Sequence, residues 1–232
     1  QAVPINPEPA QAYCNMCNVL GERGKLSAAL EAYKNAVTIK PDYALAFNNM
    51  GVTLKDQGQI DKAIEAYRNA LSVQPDYPEA YNNIGLALKD QGNNNEAIDN
   101  YKKAISIKPD YAEPFNNMGN ALLDQGKLGE AINVFQKALS IKPDYAEAYN
   151  NIGNALKDQG KLEQALESYK KALSIKPDYP DAYVNMGLAL KDQRKPEEAI
   201  EAYKKAIANK PDYAEAYYNM GLIYQDQDMH EE

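Results

Sequence analysis

Residues 146–179 read AEAYNNIGNALKDQGKLEQALESYKKALSIKPDY, and nearly all of the remaining chain is a copy of this stretch. Its closing Lys-Pro-Asp-Tyr recurs from Lys40, Lys108, Lys142 and Lys210, and from Gln74 with Gln in place of Lys; neighbouring starts lie 34 residues apart without slippage. A fixed period of this length marks one supersecondary unit stacked on copies of itself, because a single unit cannot bury its own apolar face. The expected organisation is a tail of an upstream repeat (1–9), then six full repeats at 10–43, 44–77, 78–111, 112–145, 146–179 and 180–213. Residues 214–232 are expected to hold the first helix of a seventh repeat and a short polar tail. Ile5-Asn6-Pro7-Glu8 looks like the Ile-Lys-Pro-Asp that closes the other repeats, and no Met begins the sequence. The chain is therefore expected to be a piece of a longer protein.

Positions within a repeat are numbered 1–34 from Ala146. Positions 1–14 and 18–30 are rich in Ala, Leu, Lys, Glu and Gln, which favour helix, and predict two helices per repeat. Gly at position 15 (Gly24, Gly58, Gly92, Gly126, Gly160) predicts a left-handed cap on the first helix. Pro at position 32 ends the second and pushes the residue before it into extended backbone. Pro78 and Pro180 fall in the first turn of a first helix, where a missing N–H does little harm. Asp144-Tyr-Ala-Glu147 has the spacing of a capping box. At about 100° per residue, positions 4, 7, 8 and 11 of the first helix fall together: Tyr149, Ile152, Gly153 and Leu156 in the fifth repeat. Positions 20, 24, 27 and 28 of the second helix (Ala165, Tyr169, Ala172, Leu173) make the facing stripe, and Gly at position 8 lets the two helices approach. Outward pairs such as Glu167 with Lys171 and Glu201 with Lys205 read as a solvated face.

This set of positions, aromatic at 4 and 24, Gly at 8, Leu at 11, Ala at 20 and 27 and Pro at 32, resembles the tetratricopeptide repeat over residues 10–227. The resemblance implies an all-α, right-handed superhelical solenoid of antiparallel helix pairs, with first helices on the concave side. Departures are Cys17 at position 8 of the first repeat, the run Asn93-Asn94-Asn95 in the third, and Arg194 in place of Gly at position 15 of the sixth.

Composition narrows the function. A net charge of −8 makes nucleic acid and anionic membrane poor partners. No apolar run approaches the ~20 residues that span a bilayer. Nothing at the start reads as a signal peptide, and the chain is expected to be cytoplasmic. Catalysis finds little support: the one histidine, His230, lies in the tail, and Cys14-x-x-Cys17 is half a zinc site with no second half. No cofactor is expected.

The open face of the first helix is more informative. Positions 2, 5, 6, 9 and 13 lie opposite the core stripe, within roughly 100° of arc. Position 6 is Asn in all seven copies (Asn15, Asn49, Asn83, Asn117, Asn151, Asn185, Asn219), and position 5 adds Asn48, Asn82, Asn116 and Asn150. Asn18, Asn120 and Asn154 stand at position 9. Asn is a mediocre helix former, so its recurrence in mid-helix calls for a reason. One reason is structural: each amide bonds an adjacent repeat. The other is a ladder of amides that donate to and accept from a peptide backbone; it resembles the ladder of the tetratricopeptide region of O-linked N-acetylglucosamine transferase. The carboxylate clamp of tetratricopeptide co-chaperones needs Lys or Arg at positions 5 and 9, and none is present. Position 13 is acidic throughout (Glu22, Asp56, Asp90, Asp124, Asp158, Asp192, Asp226); with position 2 and the lysines of position 12, the face holds twelve carboxylates against four lysines.

The expectation is a protein–protein interaction scaffold that binds an extended, basic or neutral peptide segment in its concave groove and is not itself an enzyme. Two alternatives are a substrate-selecting region of a larger enzyme such as a glycosyltransferase, and a module that self-associates end to end. The last half-repeat leaves Tyr217, Met220 and Tyr224 without a second helix to cover them.

Overall fold

A computed structural model describes residues 25–228 together with Met16 and Leu20. Among the described residues there are twelve helices and no strand. In chain order they are α1 (Leu26–Ile39), α2 (Ala44–Asp56), α3 (Ile60–Val73), α4 (Pro78–Asp90), α5 (Asn94–Ile107), α6 (Ala112–Asp124), α7 (Leu128–Ile141), α8 (Ala146–Asp158), α9 (Leu162–Ile175), α10 (Pro180–Asp192), α11 (Pro196–Asn209) and α12 (Ala214–Asp228). The even-numbered helices are first helices of their repeats and the odd-numbered ones second helices. The chain divides into two compact units, Gln1–Asn117 and Met118–Glu232, and the division falls inside α6. Cys14, Asn15, Cys17, Asn18, Glu22, Gly24 and His230 lie outside the described residues.

Each helix pair closes on a ring seated over a glycine. In the first unit Tyr67 covers Gly51 and Tyr101 covers Gly85; in the second Phe135 covers Gly119, Tyr169 covers Gly153 and Tyr203 covers Gly187. A Cβ on any of these glycines would stand under 3.0 Å from ring carbons. Alanines complete the contact: Ala148 and Ala155 on α8, and Ala165 and Ala172 on α9, are all 0% exposed. The core stripe of the first helix is thus positions 3, 7, 8, 10 and 11. The aromatic at position 4, expected in the core, is half-buried at Tyr81, Tyr149 and Tyr183. It lies at the margin of the pair, where its ring receives a lysine of the second helix: Lys103 Nζ is 5.6 Å from the Tyr81 centroid and Lys205 Nζ 6.0 Å from that of Tyr183. The same contact corrects the expected Glu201–Lys205 pair, since Glu201 binds Lys204 instead, at 2.9 Å.

The turn between repeats also departs from expectation. The N-cap of α8 is Tyr145, not Asp144, and no side chain caps the helix. The spacing of the capping box is off by one residue, because Tyr145 N donates to Lys142 O (3.2 Å) in a tight turn that moves the helix start past the aspartate. Lysine-on-tyrosine contacts brace this turn, as at Lys176 over Tyr179 (4.7 Å) and Lys142 over Tyr145 (4.8 Å).

First helices end as their glycines predict. Gly58, Gly92, Gly126 and Gly160 have φ between 73° and 80°. Gly160 N donates to Lys157 O (2.8 Å) and Lys161 N to Leu156 O (2.9 Å), the two bonds of a Schellman motif. Arg194 makes the same bonds at φ 60°, where a Cβ crowds the backbone. Arg194→Gly is expected to stabilise the chain by about 1 kcal/mol, less the extra chain entropy glycine brings to the unfolded state; a higher urea midpoint at unchanged slope checks this.

Candidate functional site

Successive first helices lie side by side within each unit, and that contact decides which asparagines face outward. Asn48, Asn82, Asn116 and Asn150 at position 5 are buried, 5–6% exposed. Asn49, Asn83, Asn117, Asn151 and Asn185 at position 6 are half-buried, while Asn219 is buried. The two positions are bonded across repeats. Asn83 Nδ2 donates to Asn48 Oδ1 (3.0 Å) and Asn117 Nδ2 to Asn82 Oδ1 (2.9 Å) in the first unit. In the second, Asn185 Nδ2 donates to Asn150 Oδ1 (3.0 Å). An amide has two N–H donors and one acceptor oxygen. The inter-repeat bond uses one N–H and leaves Oδ1 of Asn83, Asn117 and Asn185 without a partner among the described residues. The position-5 asparagines thus hold the position-6 amides in a fixed orientation. Sequence periodicity placed both on the open face; the signal that separates them is Val184, a position-5 residue that is 1% exposed.

Position 9 turns toward the second helix. Tyr169 Oη donates to Asn154 Oδ1 at 2.8 Å. One repeat later position 9 is Leu188, and Tyr203 Oη is buried with no hydrogen-bond partner. Burial first, then the carboxylates of Asp192 and Glu215, push the Tyr203 hydroxyl up to about 12, so it stays a donor without an acceptor. One substitution should therefore act differently at two equivalent sites. Tyr169→Phe is expected to cost about 1 kcal/mol, and Tyr203→Phe to be neutral or to stabilise by about that much. Urea unfolding of both variants checks the difference.

The carboxylates of position 13, Asp56, Asp90, Asp124, Asp158 and Asp192, are exposed and are the last residues of α2, α4, α6, α8 and α10. A negative charge at a helix C-terminus opposes the macrodipole, by about 0.3–1 kcal/mol at an exposed site. Helix stability therefore does not account for the acidic row. Part of it is neutralised: Lys55 Nζ is 3.0 Å from Asp90 and Lys157 Nζ 3.3 Å from Asp158. Asp192 forms no ion pair among the described residues. At position 2, Glu147 pairs with Lys176 (3.3 Å), whereas α2 has Leu45 there, which is exposed. Among the described residues no group of three or more His, Cys, Asp and Glu could hold a metal ion, and no helix is long and apolar enough to cross a membrane.

The pattern of the TPR repeat family matches residues 18–58, 53–92, 85–126, 119–160, 153–194 and 195–228. The chain belongs to the tetratricopeptide-repeat family. Members of this family are in general protein-interaction scaffolds. Among solved structures, MamA is 31% identical with a TM-score of 0.61, over 71% of this tetratricopeptide chain and 96% of that one. YrrB, described as a TPR protein with an unusual peptide-binding site, is 24% identical with a TM-score of 0.59, over 82% of this chain and 97% of that one. A chain of the APC/C hetero-tetramer Cut9-Hcn1 is 19% identical with a TM-score of 0.81; the match covers 94% of this chain but 43% of that one. The last two similarities show the fold alone. No curated protein matches the chain.

Proposed function

We propose that the open face of the first helices binds an extended polypeptide segment, basic or neutral in charge. The asparagines of position 6 contact its main chain. Those of position 5 orient them, and the aspartates of position 13 favour cationic side chains. The observation that carries this reading is the unpartnered Oδ1 of the half-buried Asn83, Asn117 and Asn185, each side chain held by a bond through its own Nδ2. The peptide-binding site named for YrrB is consistent with this use of a tetratricopeptide array.

Within a unit, packed helices lie roughly 8–10 Å apart and an extended chain advances ~3.3 Å per residue. One rung then meets about every third peptide residue. Each amide contact nets about 0.5–1.5 kcal/mol, while ordering a peptide residue costs about 1–2 kcal/mol. Affinity should be on the order of micromolar and should weaken with salt. The test is fluorescence anisotropy with extended peptides of one length and three charge classes. Lysine-rich and neutral peptides are expected to bind more tightly than glutamate-rich ones. Tightest binding by the acidic set would overturn the reading.

A further inference from the structure

In the second unit, the second helices α9 and α11 leave a groove between them along the edge of α10. Leu166 of α9, Met186 and Leu190 of α10 and Ala202 of α11 form its floor, and its volume is about 350 Å³. A groove of the same build, about 370 Å³, lies in the first unit, where the equivalent residues are Leu30, Met50, Leu54 and Ala66. Both stand where a repeat pairs Met at position 7 with Ala at position 23. In the third and fifth repeats position 7 is Ile84 or Ile152, 4% and 7% exposed, and position 23 is Asn100 or Ser168. Met50 and Met186 are half-buried instead. A thioether chain is unbranched and flexible, so a methionine floor adjusts its shape to what enters.

The two grooves differ at the rim. Lys34, Lys62 and Glu65 line the first; Glu197, Glu198 and Glu201 stand on one wall of the second, with Lys170 on the other. Of the six full repeats, only the sixth is acidic at all three of positions 18, 19 and 22. The helix dipole favours Glu197 and Glu198 in the first turn of α11 whatever the groove does; Glu201, a turn later, lies outside its reach. Lys205 also borders the groove, but it is held at the Tyr183 ring, 6.0 Å from the centroid. An apolar floor beside a wall of exposed carboxylates is complementary to an apolar side chain accompanied by a cation. A second copy of the chain, at a net charge of −8, meets that wall with like charge. The volume is at the low end of the roughly 300–1,000 Å³ of small-ligand sites, which is room for one or two side chains.

We propose that the groove between α9, α10 and α11 docks a segment of a partner polypeptide, which sets an apolar side chain on Met186 and an adjacent Arg or Lys against Glu197, Glu198 and Glu201. Positions 7 and 11 belong to the core stripe of the first helix, so this surface is separate from the asparagine face and does not depend on its role. The probe is the capped peptide Gly-Arg-Leu-Phe-Arg-Gly, titrated into the intact chain while the methionine methyls are followed by NMR. Gly-Arg-Ser-Ser-Arg-Gly has the same charge and no apolar side chain, so any binding through main chain and charge alone is common to both. The Met186 methyl is expected to shift saturably with the first peptide and not with the second, and the Met50 methyl to respond more weakly. Dye-labelled forms of the peptides should show an advantage of about tenfold for the first, since a buried apolar anchor dominates such contacts. Met186→Ile, which places here the residue found at 84 and 152, should remove that advantage and leave circular dichroism unchanged. Glu197→Gln, Glu198→Gln and Glu201→Gln together should weaken the interaction read at Met186 severalfold and flatten its salt dependence. Four results overturn the proposal: no saturable shift at Met186, equal shifts with the two peptides, binding indifferent to both chain variants, or light scattering that shows a dimer dispersed by Met186→Ile, which would give the groove to a second copy.

Discussion

Gly153→Leu is expected to destabilise the chain by about 3 kcal/mol or more, although leucine is the better helix former by nearly 1 kcal/mol. The new Cβ would stand under 3.0 Å from three atoms of the Tyr169 ring. That ring is 0% exposed, and its hydroxyl is tied to Asn154 at 2.8 Å, so it has no free direction of retreat. Relief requires the two helices to separate, which opens the alanine contacts of Ala148, Ala155, Ala165 and Ala172, all of them fully buried. Gly221→Leu is the matched control. Nothing lies within 4 Å of Gly221, so the same substitution there should be neutral or stabilising by up to about 1 kcal/mol. Urea unfolding followed by far-UV circular dichroism separates the two. Equal effects would mean that the ring-on-glycine contact does not hold the helix pairs together.

Replacing Asn83, Asn117 and Asn185 together by alanine is expected to weaken binding of a basic extended peptide at the first unit about fivefold or more. Asn83 and Asn117 both belong to that unit, where two lost amide contacts at about 0.5–1.5 kcal/mol each sum to roughly 1–3 kcal/mol, and 1.4 kcal/mol is a factor of ten. The variant also strands the buried Oδ1 of Asn48, Asn82 and Asn150, so a lower melting temperature accompanies the loss. Binding is therefore measured well below the transition and compared with a second variant, Asn48→Val, Asn82→Val and Asn150→Val. Val184 already occupies this position in a buried site. The valine variant leaves the position-6 amides in place and should retain most of the binding, apart from what their looser orientation costs. Wild-type affinity in the alanine variant would remove the asparagines from the contact surface.

Local chemistry, repeated at a fixed spacing, was enough to determine the helices. Gly160 and Pro177 stop the chain by their own backbone preferences, and the period of 34 repeats those stops, so helix ends and the close approach of the second helix at Gly153 were legible in the sequence. Arg194 in the left-handed region follows the same logic, since the position dictates the conformation whichever residue fills it. The side of a helix that a residue faces is also periodic, but whether that side is open depends on a neighbour. Asn82 and Asn83 lie one residue apart on α4, within the arc that periodicity assigns to the open face. Only the placement of the adjoining first helices buries Asn82 and leaves Asn83 half-exposed. Tyrosine hydroxyls repeat the point: Tyr169 and Tyr203 occupy equivalent sites, and the residue opposite, Asn154 or Leu188, decides which hydroxyl has an acceptor. Lys205 lies near a carboxylate on its own helix and a ring on the preceding one, and the tertiary contact places it over Tyr183 rather than beside Glu201. Backbone preferences act within a few residues and can be read from them. Burial and hydrogen-bond partners belong to pairs of helices, and they exist only once those helices have packed.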